Sequence, residues 1–455
     1  MLNVKVQIRI VSMKCLEFII QEHNKIPYNS LQYQNLWKEG MRLPDYRPGL
    51  ERWFFQWQWR SQQFENSDNT NDTDTDCTGY YASYVIGAQW LDREKALPLV
   101  VTTKSGCNRI DFLKMFSVCF NSGIEPEMFS RIYGVDLEQP RIKCPELNSV
   151  LSPLIIAHFV SVVKIIVKKG LKKDYVSKTE NLKKIKGRVD LFKNERKNII
   201  PKRFDRVFCR YQEYSENTLE NRLIKKALLF SEQVLKITSL SRSIASMQDA
   251  VKQCLSSFAN VYEHIETSEV KAFKCNKLYK EYAVAIKLAQ MILRRYDYAI
   301  TNITNVEQEY CPVFWLDMSL LYEHYVLGLL KEEYGDKIIY QAYGYSGYPD
   351  FICNSPKIVI DAKYIPRFEC AKLDTYIVRQ LSGYSRDKKL FKSCPDSNIP
   401  CVVIYPIEGT AENPFKGKSI DALLINEDKY FWNFYSIAVP LPILSVGKDY
   451  TSSKG

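Results

Sequence analysis

Residues 4–10 alternate apolar and polar side chains, with Val4, Val6, Ile8 and Ile10 set against Lys5, Gln7 and Arg9. A period of two predicts a strand with one wet face, so the fold is expected to open with a sheet. Short apolar runs at 80–90 and 98–101 predict more strands, and the Ser, Asn, Thr and Asp run at 61–76 predicts an exposed loop. From about 140 to 300 the period lengthens, and stretches such as 218–237 and 277–298 carry apolar residues at three- and four-residue spacing, as amphipathic helices do. The last third changes again. It predicts a helix at 317–334, short strands at 338–340, 350–353 and 357–364, a helix at 375–390 and a strand at 402–405. The expectation is a multidomain α/β (α+β) chain: a β-rich N-terminal domain (1–135), a mainly helical and basic middle region (136–305) and a C-terminal α/β domain (306–445).

Composition agrees with this modular reading. A chain of 455 residues has room for about three domains. With 46% hydrophobic and 25% charged residues it is not a disordered, collagen-like or coiled-coil chain. The net charge of +11 is concentrated. Between Lys164 and Arg203 fifteen Lys and Arg face four acids, Asp174, Glu180, Asp190 and Glu195. Such a band attracts polyanions through counterion release, and Lys183, Lys184, Lys186 and Arg188 are the candidate contacts to DNA phosphates. The plainer alternative is a solvated helix face. Thirteen scattered cysteines without a CxxC pair, beside only four histidines, give no structural zinc pattern and fit a reducing cytoplasm. The apolar stretch 151–167 contains His158 and Lys164 and reads as a core helix, so no membrane association is expected. The decamer ERWFFQWQWR at 51–60 reads as an edge packed into the core, or else as a surface for a partner or for stacked bases.

The candidate chemistry lies in the last third. Pro349 and Asp350, then Asp361, Ala362 and Lys363, form a PD…DxK pattern. Asn354, Ser355, Pro356 and Lys357 lie between two apolar runs and read as a turn, which sets the two aspartates on adjacent strands of a hairpin. Residues two apart share a strand face, so Asp361 and Lys363 point the same way. Two carboxylates supply hard oxygen ligands for Mg²⁺, and a lysine beside them can orient water or offset charge in phosphodiester hydrolysis. Taken alone, DxK is also an ordinary surface ion pair. Glu323 adds a third acid to the pattern, because it shares a helical stripe with Leu320, Leu327 and Leu330 and a buried acid needs a partner, such as a metal. Gln380 and Tyr384, four apart on the next helix, can hydrogen-bond near a metal or a DNA phosphate.

The strings GYPDF…IVIDAKY and RQLSGYSRD resemble the PD-(D/E)xK nuclease domain of the McrC family, the nuclease subunit of McrBC-type (type IV, LlaJI-like) restriction systems. Lys186–Asp190 (KGRVD) and 211–228 (YQEYSENTLENRLIKKAL) are similar to the middle region of that family, so the resemblance spans roughly 180–440. It implies a C-terminal restriction-endonuclease-like fold and an Mg²⁺-dependent DNA endonuclease, with Mn²⁺ able to substitute. It also implies a cytoplasmic role in defence against phage and other foreign DNA, and an McrB-like AAA+ GTPase or ATPase ring as the partner that the subunit stimulates. On this chain Asp350, Asp361 and Glu323 would hold the metal, Lys363 would be catalytic, Gln380 would support the site, and Tyr384 would act behind them. The N-terminal domain becomes the candidate interface with the ring. No GxxxxGK[ST] loop occurs in the chain, so NTP hydrolysis is left to the partner. Two other readings remain open at this point: a stand-alone RecB-like nuclease, and a non-catalytic DNA-binding activator of the NTPase.

Overall fold

The computed structural model describes residues 7–10, 16–22, 25–27, 55–58, 79–92, 97–103, 110–121, 126–136, 138–237, 245–265, 279–295, 310–365, 373–391, 399–408 and 412–443. They fall into two compact units, one of residues 1–154 with 307–455 and one of residues 155–306. The 61–76 stretch lies outside the described residues, as does the aromatic decamer apart from the strand Phe55–Gln58, which pairs with Gly79–Ala82.

The first unit contains a six-stranded sheet in the order Gln7–Ile10, Leu16–Gln21, Leu97–Thr102, Val85–Asp92, Val313–Asp317 and Tyr133–Asp136. Only Leu16–Gln21 and Leu97–Thr102 run parallel within it. Val313–Asp317 (VFWLD) enters this N-terminal sheet from far along the chain and is buried at all five positions. A strand covered on both faces reads as an unbroken apolar run rather than an alternating one. Gly87 makes this pairing possible. Its φ is +148°, and a Cβ there would sit 2.2 Å from the carbonyl oxygen of Phe314. Gly87→Ala is therefore expected to destabilise the first unit by about 3 kcal/mol, checked by thermal melting. An unchanged melting temperature would show that the strand pair can part at little cost.

The same unit holds a five-stranded sheet whose strands lie in chain order: Ile338–Tyr340, Phe351–Asn354, Lys357–Ala362, Cys401–Glu408 and Phe434–Leu441. The first two pairings are antiparallel and the last two parallel. The expected hairpin is present, with Asn354 opposite Lys357 and Ser355–Pro356 at the turn. The helix Met318–Tyr334 follows directly from Val313–Asp317, and Asp317 caps it by accepting from the Leu320 amide at 3.0 Å. The helix Thr375–Ser385 is capped in the same way by Asp374.

The second unit has the two helices expected at 218–237 and 277–298, as Leu219–Ile237 and Lys280–Arg295, and a further one, Ala245–Ser257. Asn221, within the string shared with the family's middle region, is fully buried there. Its amide donates to the carbonyls of Lys172 (2.9 Å) and Glu216 (2.7 Å), and its oxygen accepts from Tyr282 Oη (2.8 Å). That stretch thus has a structural task. The apolar segment at 151–167 lies within the helix Pro145–Lys169, and among the described residues no helix is long and apolar enough to cross a membrane.

The helical expectation for the basic band needs correction. Asp174–Leu182 and Val207–Ser215 pair over nine antiparallel positions, and Arg188–Val189 joins the edge of the second strand. Beyond them a short helix, Leu191–Asn194, leads into a wide turn in which the Ile200 amide bonds Glu195 O at 2.9 Å. Asn198, 1% exposed, ties this tip together. Its amide bonds Asn181, Asn194 and the Arg206 carbonyl, and Asn181 returns a bond to Asn198 Oδ1 at 2.9 Å. Over this anchored frame Ile185, Leu191, Phe192, Ile200 and Phe204 stand in solvent, Leu191 and Phe204 at 77% and 76% exposure.

Candidate active site

The hairpin register brings the two aspartates face to face. Phe351 pairs with Ile360, so one residue further out Asp350 stands opposite Asp361. The Ala362 amide donates to Asp350 Oδ2 at 2.8 Å and fixes that carboxylate against the second strand. Asp361 is 1% exposed. Among the described residues its Oδ2 has the Lys363 ammonium 2.7 Å away and no hydrogen-bond donor of good geometry. Lys363 remains in line because its backbone amide bonds Ile404 O at 2.8 Å, continuing the parallel pairing one residue beyond the strand. The same ammonium donates to Gln380 Oε1 (3.3 Å), and Gln380 Nε2 donates to Tyr384 Oη (3.1 Å). One row of contacts thus runs from Asp361 through Lys363 and Gln380 to Tyr384.

Glu323 reaches the group from the Met318–Tyr334 helix. It is half-buried, and its Oε1 accepts from Gln341 Nε2 at 3.3 Å. Burial raises its carboxyl above the ordinary range; Tyr340 and Gln341 pull the other way, and the Asp361 charge adds to the rise. Asp350 is raised well above the ordinary range by burial, then by the charges of Asp361 and Glu323. For Lys363 burial acts downward, but Asp361 and Asp350 overcome it and hold the ammonium above its usual value. Three carboxylates therefore share one lysine in a mostly dry place. The arrangement is short of positive charge, which a divalent cation would supply.

All six residues expected in the site are brought together: Asp350, Asp361, Lys363, Glu323, Gln380 and Tyr384. Lys183, Lys184, Lys186 and Arg188 belong to the second unit and are exposed there; Lys186 lies 4.0 Å from the Tyr211 ring centroid and 3.9 Å from Glu213 Oε1. Other residues of the site have no signal in the sequence. Gln341 reaches Glu323 from a backbone φ of +45° just past a strand. Glu22, buried at the end of Leu16–Gln21, accepts from Tyr364 Oη at 2.8 Å, directly after Lys363 in the chain. The Tyr364 ring packs 5.7 Å from Tyr322 and 6.2 Å from Tyr84. Burial lowers His324 to about 4, and its ring packs 5.3 Å from that of Tyr340.

Residues 127–384 match the family model for the McrBC 5-methylcytosine restriction system component, more than half of the chain. The chain belongs to this family. The McrBC match takes in the exposed basic tip, the Asn221 network and Glu323, Asp350, Asp361, Lys363, Gln380 and Tyr384, but not Glu22. A comparison with curated proteins finds no match. Two solved structures are similar at low identity. One is a refined half-complex from a tetradecameric assembly of Thermococcus gammatolerans McrB AAA+ hexamers with bound McrC: 15% identity, 95% of this chain and 97% of that chain covered, TM-score 0.34. The other is the cryo-EM structure of the Thermococcus gammatolerans McrBC complex: 14% identity, 69% and 87% covered, TM-score 0.29.

Proposed function

We propose that this McrBC-family chain is a cytoplasmic DNA endonuclease subunit that hydrolyses phosphodiesters with Mg²⁺, in concert with an McrB-like AAA+ NTPase that it stimulates. The observation that carries the proposal is the cluster of Asp350, Asp361 and Glu323 around the ammonium of Lys363. The five-stranded sheet with its flanking helices is read as the PD-(D/E)xK nuclease fold. Among the described residues no three His, Cys, Asp or Glu side chains stand close enough to cage a metal ion. Mg²⁺ does not require such a cage. It prefers one or two carboxylates and several waters. Asp350 and Asp361 would be its ligands, with Glu323 behind them, and the ion would supply Lewis-acid stabilisation of phosphate charge.

The lysine has a definite role in this setting. Held protonated by Asp361 and Asp350, it acts as a fixed cation beside the phosphate rather than as a base. Gln380 and Tyr384 limit its rotation and so position it. The test is nicking of plasmid DNA by the purified chain with its NTPase partner, comparing Mg²⁺ with EDTA and wild type with Asp361→Asn. Nicking that requires both Mg²⁺ and Asp361 is the expected result. Activity unaffected by Asp361→Asn would overturn the nuclease reading and leave the activator role. Cutting at DNA ends without the NTPase would favour a stand-alone enzyme.

The exposed tip of the second unit favours a different partner surface from the N-terminal domain. Solvent-facing apolar side chains on a rigid frame mark a protein interface. The tip is therefore assigned to the NTPase. Lys183, Lys184, Lys186 and Arg188 are assigned to DNA phosphates. Neutralising those four is expected to weaken DNA binding uniformly across sequences and to flatten its salt slope by about 0.9 for each phosphate left without its cation. An unchanged slope in a salt titration would reduce the band to solvated surface.

A further inference from the structure

Between the Ile338–Tyr340 strand and Asp350 the chain reads QAYGYSGYPD, and three of its rings, Tyr343, Tyr345 and Tyr348, face solvent. Tyr345 is the most open, at 83% exposure. Exposed tyrosines are ordinary in isolation, but this loop is built. Asp387, buried at 7% exposure, accepts from the Ser346 amide (2.7 Å) and hydroxyl (2.8 Å). The Gly344 amide bonds Gly347 O at 2.9 Å, and the Gln341 amide bonds Asp350 O at 2.9 Å, which closes the loop at both ends. The fit is close. A Cβ on Gly344 would lie 2.5 Å from Asp387 Oδ2, and one on Gly347, where φ is +124°, would lie 3.4 Å from the Tyr384 ring.

The loop therefore rests on the tyrosine that ends the Lys363–Gln380–Tyr384 row and runs into Asp350 itself. The rings also carry positive charge among them. Lys389 Nζ lies 3.3 Å from the Tyr343 centroid and 5.4 Å from that of Tyr345, while Tyr343 and Tyr348 sit 5.0 Å apart. Arg379, Arg386 and Lys388 are exposed on the adjoining helix and turn. Flat π faces held in place with ammonium and guanidinium groups around them match one kind of ligand: unstacked bases on a phosphate backbone. A fully paired duplex hides its base faces and cannot use the rings.

We infer that the Tyr343–Tyr348 loop is a stacking platform for unpaired nucleotides next to the scissile phosphate, so that this site engages DNA whose strands are locally separated. The inference rests on the nuclease reading for its location beside a scissile phosphate, although base stacking itself can be measured without cutting.

The experiment uses the full chain carrying Asp361→Asn. It is titrated into a single-stranded oligonucleotide containing 2-aminopurine and into the same sequence as a duplex. Tyr345→Ala with Tyr348→Ala is expected to lower single-strand affinity about tenfold or more and to abolish the fluorescence quench. Duplex affinity is expected to stay within about twofold. The corresponding Phe pair keeps ring and quench, whereas a role for the hydroxyls would not survive that change. Equal weakening on duplex and single strand, or failure of the Phe pair, overturns the inference. So does failed assembly with the NTPase at unchanged oligonucleotide binding, which would make the loop a protein surface. If the double variant melts early, Tyr345→Ala alone, altering the most exposed ring, decides. Base binding without Asp361-dependent plasmid nicking would remove the nuclease reading and leave the platform standing.

Discussion

A Lys363→Ala protein is expected to lose DNA nicking by about 10²–10³-fold or more and to lose stability along with it. Among the described residues the lysine is the one ammonium beside Asp350, Asp361 and Glu323, and its removal takes away the cation that lies 2.7 Å from the buried Asp361. Breaking a buried pair from one side costs about 3–5 kcal/mol. Asp361→Asn should behave differently. It abolishes nicking to a similar extent, but it takes one charge out of a crowded set, since Asp361 raises both Asp350 and Glu323. Its melting temperature without metal should equal or exceed that of the wild type, as is common where a site gives up stability for function. Nicking assays paired with thermal melts in EDTA read both quantities. Equal destabilisation by the two substitutions would mean that the carboxylates are not in tension, and retained nicking in either would remove that residue from the chemistry.

The second large effect is expected at the tip of the second unit. Leu191→Ser, Phe192→Ser and Phe204→Ser together should weaken association with the NTPase partner by more than about a hundredfold and abolish stimulation of NTP hydrolysis. Apolar anchors at an interface often contribute about 2 kcal/mol or more apiece. The fold should tolerate the change, because all three side chains are more than 70% exposed and exposed substitutions of this kind usually stay within about 0.5 kcal/mol. Calorimetric titration against the partner and its NTPase rate are the two readouts. If both are unchanged while the protein remains folded, the tip is not the docking surface.

The legible and illegible parts of this molecule divide by the range of the contacts that define them. The hairpin bearing Asp350 and Asp361 could be read because its turn, its two apolar runs and its spacing are local, and Asp361 and Lys363 share a face by the strand period alone. Gln380 and Tyr384 were legible for the same reason, being one helical turn apart. Gln341 was not, because it meets Glu323 only through a left-handed backbone step that no periodicity announces. Glu22 and Tyr364 are 342 residues apart in sequence, and their hydrogen bond exists only once both sheets have formed. Likewise the strand Val313–Asp317 has no counterpart among the expected elements, because its partners Val85–Asp92 and Tyr133–Asp136 lie far away in the chain. The basic band misleads for another reason. Lysine is a good helix former, and only the nine-position pairing of Asp174–Leu182 with Val207–Ser215 makes it a strand. Leu191, Phe192 and Phe204 look like core residues in a sequence, because apolarity alone does not distinguish burial from display.

Tyr310–Cys311 runs antiparallel beside Ile142–Lys143, with Tyr310 opposite Lys143. The chain leaves the first unit after one of these neighbouring strands and re-enters it before the other, so the second unit, residues 155–306, is spliced in as a cassette. Such an arrangement lets a lineage exchange or remodel that cassette, and whatever it docks onto, without re-evolving the carboxylate centre. It also means that truncation from either terminus is a poor way to isolate the portion that carries the carboxylate cluster, because that unit is built from both ends of the chain.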